Sequence, residues 1–229
     1  MSAGAGPIEA LVFDLDGTIA DTESVEYEAI RMVWADHGLE YPVERLSHVV
    51  GQAWSPRWVA ELQAEADVVV DRGAAHAAKG RHHGELLAAL VTRPGVAELI
   101  ADAADAGIPM AIASNSDSDW VEDVLHQLDL SSRFAAVVTI DRVSTGKPHP
   151  EPFLAACAGL GASPECSVAF EDSFTGVASA VAAGLYTVAC PGPLTVGHDV
   201  RAADLVVSSL EEVALASLQA AVAARGRRA

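Results

Sequence analysis

Two textures alternate along the chain. Short apolar runs end in polar residues, and between them lie segments whose apolar positions recur at helical spacing and close on glycine. Glu9-Ala-Leu-Val-Phe-Asp14 is the first apolar run. Residues 110–114, 135–139, 167–171 and 186–190 repeat it, and Val206-Val207 marks a short sixth. Runs this short, bounded by polar residues, predict strands buried on both faces. Val96, Leu99, Ile100 and Ala103 fall at i, i+3, i+4 and i+7, with Pro94 just before them and Gly107 after, and predict a helix. Val121, Val124, Leu125 and Leu128 repeat the spacing. Residues 153–160 and 177–183 predict two further helices, ended by Gly161 and Gly184. Strand–helix alternation predicts an α/β fold, a Rossmann-like parallel sheet with helices on both faces in three α/β/α layers. Ligands in such sheets sit at the carboxyl ends of the strands.

One stretch breaks the alternation. Residues 21–92 carry helical patterns and no convincing strand. Val25, Ala29, Met32 and Val33 form one amphipathic face, closed by Gly38. Val68-Val69-Val70 has the composition of a strand, but it stands alone between acidic and helical sequence and is taken as helix. The pattern predicts an all-helical cap inserted after the first strand, over the carboxyl edge of the sheet. The domains are then core 1–20, cap 21–92 and core 93–229. Linkers at 19–21 and 91–94 would let the cap move as a lid that excludes water, and a bound phosphate analogue should protect both from hydrogen exchange. The basic tail 225–229 is expected to fray.

Composition narrows the function. The 229 residues are 51% hydrophobic and 20% charged, enough for a substantial core. Fourteen Lys and Arg against 32 Asp and Glu give a formal charge of −18. That balance excludes a global pull toward nucleic acid or anionic lipid, and confines any anion to a local site with a metal or well-placed donors. Cys157, Cys166 and Cys190 are widely spaced without a CxxC, and read as small buried residues in a reducing compartment. The start of the chain lacks the basic and apolar parts of a signal peptide, and no run approaches about 18 apolar residues. A soluble, cytoplasmic protein without membrane or nucleic-acid partners is expected.

Four elements carry candidate chemistry. Asp14-Leu-Asp-Gly-Thr18 follows the first predicted strand directly. Glu171-Asp172 follows the strand 168–170, and parallel pairing would bring it to the same sheet edge. Several carboxylates in one place oppose one another's ionisation unless a cation is present, and a few hard oxygen ligands beside a phosphate favour Mg²⁺. Ser114-Asn115-Ser116 stands at a strand end and helix start, where hydroxyl, amide and free N–H groups can hold an anion. Lys147 sits in Thr145-Gly-Lys-Pro-His-Pro150, a backbone restricted by Gly and two prolines. Singly, each has a plain reading: a turn at a strand exit, a solvated loop, an N-cap, a surface lysine. Together they offer carboxylates, a metal site, anion donors and a cation on one sheet edge.

Residues 14–18, Ser114-Asn115, Lys147 and Glu171-Asp172-Ser173, in this order, resemble the four motifs of the haloacid dehalogenase-like hydrolase superfamily. Gly-Lys-Pro-His-Pro-Glu-Pro-Phe around Lys147 is similar to the branch containing β-phosphoglucomutase and small-metabolite phosphatases. The resemblance covers nearly the whole chain and implies a mechanism. Asp14 would attack phosphorus and become an aspartyl-phosphate. Asp16 would protonate the leaving alkoxide and then deprotonate water. Mg²⁺ would bind Asp14, the Asp16 carbonyl and Asp172, with Glu171 a direct or water-mediated ligand. Lys147 would offset charge, and Ser114, Asn115 and the Thr18 region would hold the phosphoryl oxygens. Dehalogenases proper lack the second Asp, so Asp16 argues for phosphoryl chemistry. Phosphonate-cleaving relatives use a cap lysine, and residues 21–68 contain none.

The expected partner is a small phosphorylated metabolite, with no obligate protein partner implied. A sugar phosphomutase is the main alternative. The mutase carries a His in its cap where counting from Asp21 reaches Glu26, and the segment Gly51-Gln-Ala-Trp-Ser-Pro-Arg57 departs from the mutase pattern. A non-catalytic metabolite-binding protein is a further alternative, opposed by the competent residue at every motif position. Glu23, Trp54, Arg57 and Lys79 are candidate substrate contacts, Arg57 foremost. Against this, residues such as Trp54 and Trp58 are more often packing residues than ligand platforms, and Arg57 and Lys79 more often solvated or ion-paired groups in a protein this acidic. His82-His83 reads as helix surface without a third zinc ligand, and His149 as local turn chemistry.

Overall fold

The computed structural model describes residues 8–47, 50 and 57–225. Six parallel strands form one sheet in the order β3-β2-β1-β4-β5-β6. They are β1 (Ala10–Phe13), β2 (Met110–Ala113), β3 (Ala136–Val138), β4 (Ser167–Glu171), β5 (Tyr186–Ala189) and β6 (Leu205–Val206). Each apolar run of the sequence is a strand, the last displaced by one residue. From β1 the chain winds outward through β2 to β3, then returns to place β4 on the other side of β1, with Phe13 level with Phe170. The gap between β1 and β4 is therefore the point where winding reverses, the usual ligand crevice of such a sheet.

Alternation along the strands sorts side chains into two layers. Leu11 and Phe13 face the helices α5 (Val96–Asp105), α6 (Ser118–Gln127) and α9 (Leu215–Arg225). Val12, Ala111, Ala113 and Ala169 face α7 (Glu151–Leu160) and α8 (Phe174–Ala183). Large residues fill the first layer, where Phe13 stacks on Phe170 at 4.6 Å between centroids. Small residues line the second and let the Ala-rich faces of α7 and α8 come close. Helix α9 escapes the sequence reading because only Leu218 and Val222 are buried among its alanines. Its last residue, Arg225, is anchored to the core, and the rest of the tail, 226–229, lies outside the described residues. The guanidinium donates to the Leu185 carbonyl at 2.7 Å and to Asp204 at 3.2 Å. Cys157 and Cys190 are buried, whereas Cys166 is only half-buried, against expectation; all three are free thiols.

Helices α1 (Thr22–Asp36), α2 (Glu44–Ser47), α3 (Trp58–Glu65) and α4 (Arg72–Leu87) form the cap, with α1 packed along α4. Its core gathers Ile30, Val33, Trp34, Tyr41, Trp58 and Leu62. The buried stripe of α1 is Ala29, Ile30, Val33 and Trp34, rotated from the predicted face because the Trp34 ring sets the packing. Trp58 is a packing residue. Residues 68–70 are not helix but an irregular connector, in which Val69 is 92% exposed and only Val70 is buried. The Gln63 side chain ties this connector to α3, donating to Val68 O and accepting from Val70 N at 2.8 Å. Asp71 then caps α4 through the Ala74 N–H.

The two predicted linkers lie side by side. Ala20 bridges Thr92, and Arg93 N donates to Ile19 O at 2.8 Å. Beyond β5, Leu194 buries itself in the cap core, and His198 spans Phe174 N and Ser47 O. No helix among the described residues is long and apolar enough to cross a membrane.

Candidate active site

Three strand ends and one loop converge on the crevice. Asp14 leaves β1, Ser114 leaves β2, and Glu171 and Asp172 close β4, while Lys147 arrives on the loop before α7. Lys147 Nζ stands 2.5 Å from Asp14 Oδ1 and 2.6 Å from Glu171 Oε1, with all three side chains buried. Burial alone would depress the lysine, but the two carboxylates outweigh it and hold its pKa above the usual range. Asn115 fixes the lysine's backbone from both sides: Nδ2 donates to Lys147 O at 3.1 Å, and Oδ1 accepts from Lys147 N at 2.8 Å. The Lys147–Pro148 bond is cis.

One oxygen of each of Asp14, Glu171 and Asp172 lies within 4.8 Å of the others. Burial foremost, then neighbouring carboxylates, pushes Asp14 and Asp172 well above the ordinary range, against the pull of Lys147 on Asp14 and of the Thr195 hydroxyl on Asp172. Anions crowded in this way call for a cation. Asp14 Oδ2 is buried with no hydrogen-bond partner, as a metal-facing or reacting oxygen should be. The residues thus fit a hard divalent ion bound by oxygen. Glu171 differs from the other two. Its Oε2 accepts from Asp172 N, Ser173 N and Ser173 Oγ at 3.1–3.2 Å, so both its oxygens are already engaged. Gly176 at the start of α8 is required beside it, since a Cβ there would overlap the Glu171 carboxylate. Asp172 Oδ2 accepts from Thr195 Oγ1 at 2.9 Å, and Thr195 in turn accepts from Gly192 N.

Asp16 is held apart from this cluster, between the start of α1 and the β2–α6 segment. Oδ1 accepts from Thr22 Oγ1 at 2.7 Å and Trp120 Nε1 at 2.8 Å, and Oδ2 from Ser116 Oγ at 2.6 Å and Ser114 Oγ at 3.4 Å. The turn that carries it is tight. Gly17 has φ +83°, and any Cβ there would meet the Asp172 carboxylate. Arg93, in the return linker, donates to the carbonyls of Gly17, Cys190 and Pro191. It thereby ties the hinge to the loop of Asp16 and to the loop that leads to Thr195.

A cavity of about 630 Å³ opens over these groups. Asp14, Asp16, Ser114, Asn115, Lys147 and Asp172 line its floor, and Glu23, Glu26, Lys79 and His83 its cap side. Glu23 and Lys79 therefore stand where substrate contacts were expected. Glu26 and His83 stand there too. His83 is not plain helix surface: its ring lies 5.5 Å from that of Trp120, and Nε2 is 3.7 Å from the Glu26 carboxylate. Arg57 is exposed at the start of α3 and does not line the cavity. Thr18 is buried beneath the floor, its hydroxyl unpartnered, and does not line the cavity either. Trp54 and the rest of 51–56 lie outside the described residues. His149 serves locally, its carbonyl accepting from Ser179 and its ring from Glu151 N. Trp120, Thr22, Thr195 and Arg93 were not foreseen. Of these only Thr22 had a local signal, its place just after the Asp14 loop.

A three-layer α/β core, a helical cap after the first strand and an aspartate–lysine–acid cluster at the switch point define a capped phosphoryl-transfer hydrolase. The description of haloacid dehalogenase-like hydrolases matches residues 8–184, and the chain belongs to that family as one of its phosphatases, a phosphomonoesterase. Fructose-1-phosphate phosphatase YqaB of Escherichia coli is 34% identical over 180 residues, covering 78% of this chain and 94% of its own. A phosphorylated carbohydrates phosphatase of Thermotoga maritima is 32% identical over 181 residues, 78% of this chain and 82% of its own. Among solved structures, CbbY of Rhodobacter sphaeroides in complex with xylulose-(1,5)bisphosphate aligns with a TM-score of 0.71 at 29% identity, covering 90% of this chain and 96% of that one.

Proposed function

We propose that the protein is a Mg²⁺-dependent phosphatase of phosphorylated sugars that works through an aspartyl-phosphate on Asp14. The observation that carries this reading is the division of labour between the two aspartates. Asp14 Oδ1 is committed to Lys147 while Oδ2 has no partner, and Asp16, two residues on, is held across the cavity by four donors.

Asp14 Oδ2 attacks phosphorus as the ester P–O bond breaks. Asp16 gives a proton to the departing alkoxide, which leaves as an alcohol. The Asp16 carboxylate then takes a proton from water, whose oxygen attacks phosphorus. The Asp14–phosphorus bond breaks and inorganic phosphate is released. Lys147 and the donors around Ser114 stabilise the phosphoryl oxygens. Asp14, the Asp16 carbonyl and Asp172 would hold Mg²⁺, which supplies charge neutralisation at the transferring phosphate. Glu171, with both oxygens engaged by protein donors, positions Lys147 and the Asp172 loop. The sugar names of the relatives and a polar cavity of this size support the substrate class.

Phosphate release from a panel of phosphorylated metabolites, with Mg²⁺ and with chelator, tests the reading. Release that requires Mg²⁺ and vanishes in Asp14→Asn supports it. No release from any ester by folded protein overturns it.

A further inference from the structure

The far end of the cavity carries information about the substrate that the phosphoryl machinery does not. Resting on the phosphatase reading, we propose that the cap side selects monophosphates whose remote end is uncharged or cationic and rejects a second anionic group. Glu26, by holding Lys79, is the specificity-determining residue.

Charge is the first part of the argument. Among the described residues lining the cavity, the carboxylates are Asp14, Asp16, Glu23, Glu26, Asp117 and Asp172, and the only lysines or arginines are Lys79 and Lys147. Lys147 lies on the floor and is shared between Asp14 and Glu171. Lys79 projects from α4 and is paired with Glu26 Oε2 across the α1–α4 contact, both side chains being largely buried. His83, one turn beyond Lys79, lies against the same carboxylate. Its pKa is lowered by burial first and then by Lys79, against Glu26. Arg57 is outside the cavity, and between Val50 and Arg57 the sequence holds no Lys, Arg or His. A cation bound at Asp14 and Asp172 neutralises the floor, not the cap side. A second phosphate or a carboxylate brought to the cap side would meet the Glu26 carboxylate, with no uncommitted lysine or arginine among the described residues facing it, a like-charge contact in a partly desolvated space.

Unused hydrogen-bonding capacity is the second part. Glu26 Oε1 is buried and has no partner. A buried acceptor left open needs a donor, and the donors a small phosphoester can bring are sugar hydroxyls or an ammonium group. Glu23, one helical turn before Glu26 on α1, is pushed up to about 8 by burial and by Asp16, Asp14 and Glu26. It is therefore mostly protonated at neutral pH and both donates and accepts, which suits a hydroxyl. The cap side thus matches a polyol or amino-polyol chain.

Esters on a common six-carbon skeleton test this: glucitol 6-phosphate, glucosamine 6-phosphate, 6-phosphogluconate and fructose 1,6-bisphosphate, with acetyl phosphate as a substrate that has no far end. For the wild type, kcat/KM for the first two should exceed that for the two anionic-ended esters by about tenfold or more. Glu26→Gln keeps the shape and frees the Lys79 ammonium, so the gap should shrink roughly tenfold, mainly through KM for the bisphosphate. Lys79→Met should leave the gap at least as wide. If Glu26→Gln does not fold, the wild-type ranking and Lys79→Met decide alone. A wild type that handles the bisphosphate or the gluconate as well as the polyol ester overturns the inference, as does an unchanged gap in folded Glu26→Gln. In either case Mg²⁺-dependent release from acetyl phosphate, lost in Asp14→Asn, shows the phosphatase reading intact. Absence of release from every ester overturns that reading and the inference with it.

Discussion

On the core side of the cavity the acidic groups are tied to residues fixed by the sheet and its loops. Lys147 bridges Asp14 and Glu171, Glu171 is fixed by three further donors, and Asp172 is held by Thr195. On the cap side, Glu26 meets Lys79 between two helices, Glu26 Oε1 has no partner, and Glu23 is raised to about 8 by its surroundings. The floor stands on strand ends locked by a parallel sheet. The cap wall stands on helices attached through the paired linkers at Ala20 and Thr92. Chemistry common to all phosphoesters needs groups preorganised to a fraction of an ångström. Choice among esters needs only an arrangement of charges and open hydrogen bonds, which helices carry and substitutions alter without disturbing the sheet.

The largest effect expected is on the floor. Asp14→Asn should lower kcat by about four orders of magnitude or more, because the nucleophile is gone, while the thermal midpoint stays near that of the wild type. Next comes the support of Asp16. Trp120→Phe removes the indole N–H but keeps the ring, and a hydrogen bond to a charged group is worth about 1.5–3 kcal/mol. Turnover of alkyl phosphates should fall roughly tenfold to a hundredfold. Turnover of nitrophenyl phosphate, whose leaving group needs no proton, should fall much less. Equal losses on both would mean that Trp120 only packs. Smaller again is Thr195→Val, which frees Asp172 Oδ2. The Mg²⁺ concentration for half-maximal rate should rise about 10–100-fold, with the rate recovered at saturation.

The smallest effect on turnover, read instead in stability, sharpens the cap side. Glu23 keeps its proton in the folded protein up to about pH 8 but would lose it near 4.5 in the unfolded chain. The folded state therefore binds more protons between these values, and Glu23 lowers stability as pH rises through that window, levelling above it. Glu23→Gln removes this slope. In urea titrations of the metal-free protein, the variant should gain on the wild type from pH 5 to pH 8.5. A tenfold difference in proton affinity corresponds to about 1.4 kcal/mol, so the gain is on the order of a few kcal/mol. Parallel curves would contradict the protonated Glu23.

How much of this was legible in the sequence follows the same division. Asp14, Asp16, Ser114, Glu171 and Asp172 stand at or near strand ends, so an apolar run followed by a polar residue announces each one, while Lys147 is announced by the Gly and two prolines around it. A parallel sheet then brings them together whatever the spacing between them. Glu26 and His83 have no such marker: they meet only because α1 packs along α4, and nothing in either helix alone points to the other. Trp120 is hidden in the same way, since its hydrogen bond to Asp16 spans 104 residues. The connector at 68–70 misled because its helical neighbours were weighed without the Gln63 side chain, which supplies its backbone bonds outside a helix. Arg57 attracted attention as a cap cation, yet helix α3 starts there and leaves it in solvent.

Trapping the covalent intermediate tests the central claim most directly. Protein mixed with Mg²⁺ and a turned-over sugar phosphate, quenched within one turnover and reduced with borohydride, should yield homoserine at position 14 on peptide mass analysis. Asp16 should be unmodified, and Asp14→Asn should give no product. Phosphate release at full rate with an unmodified Asp14 in every quench would show that water attacks the ester directly, and would contradict the account.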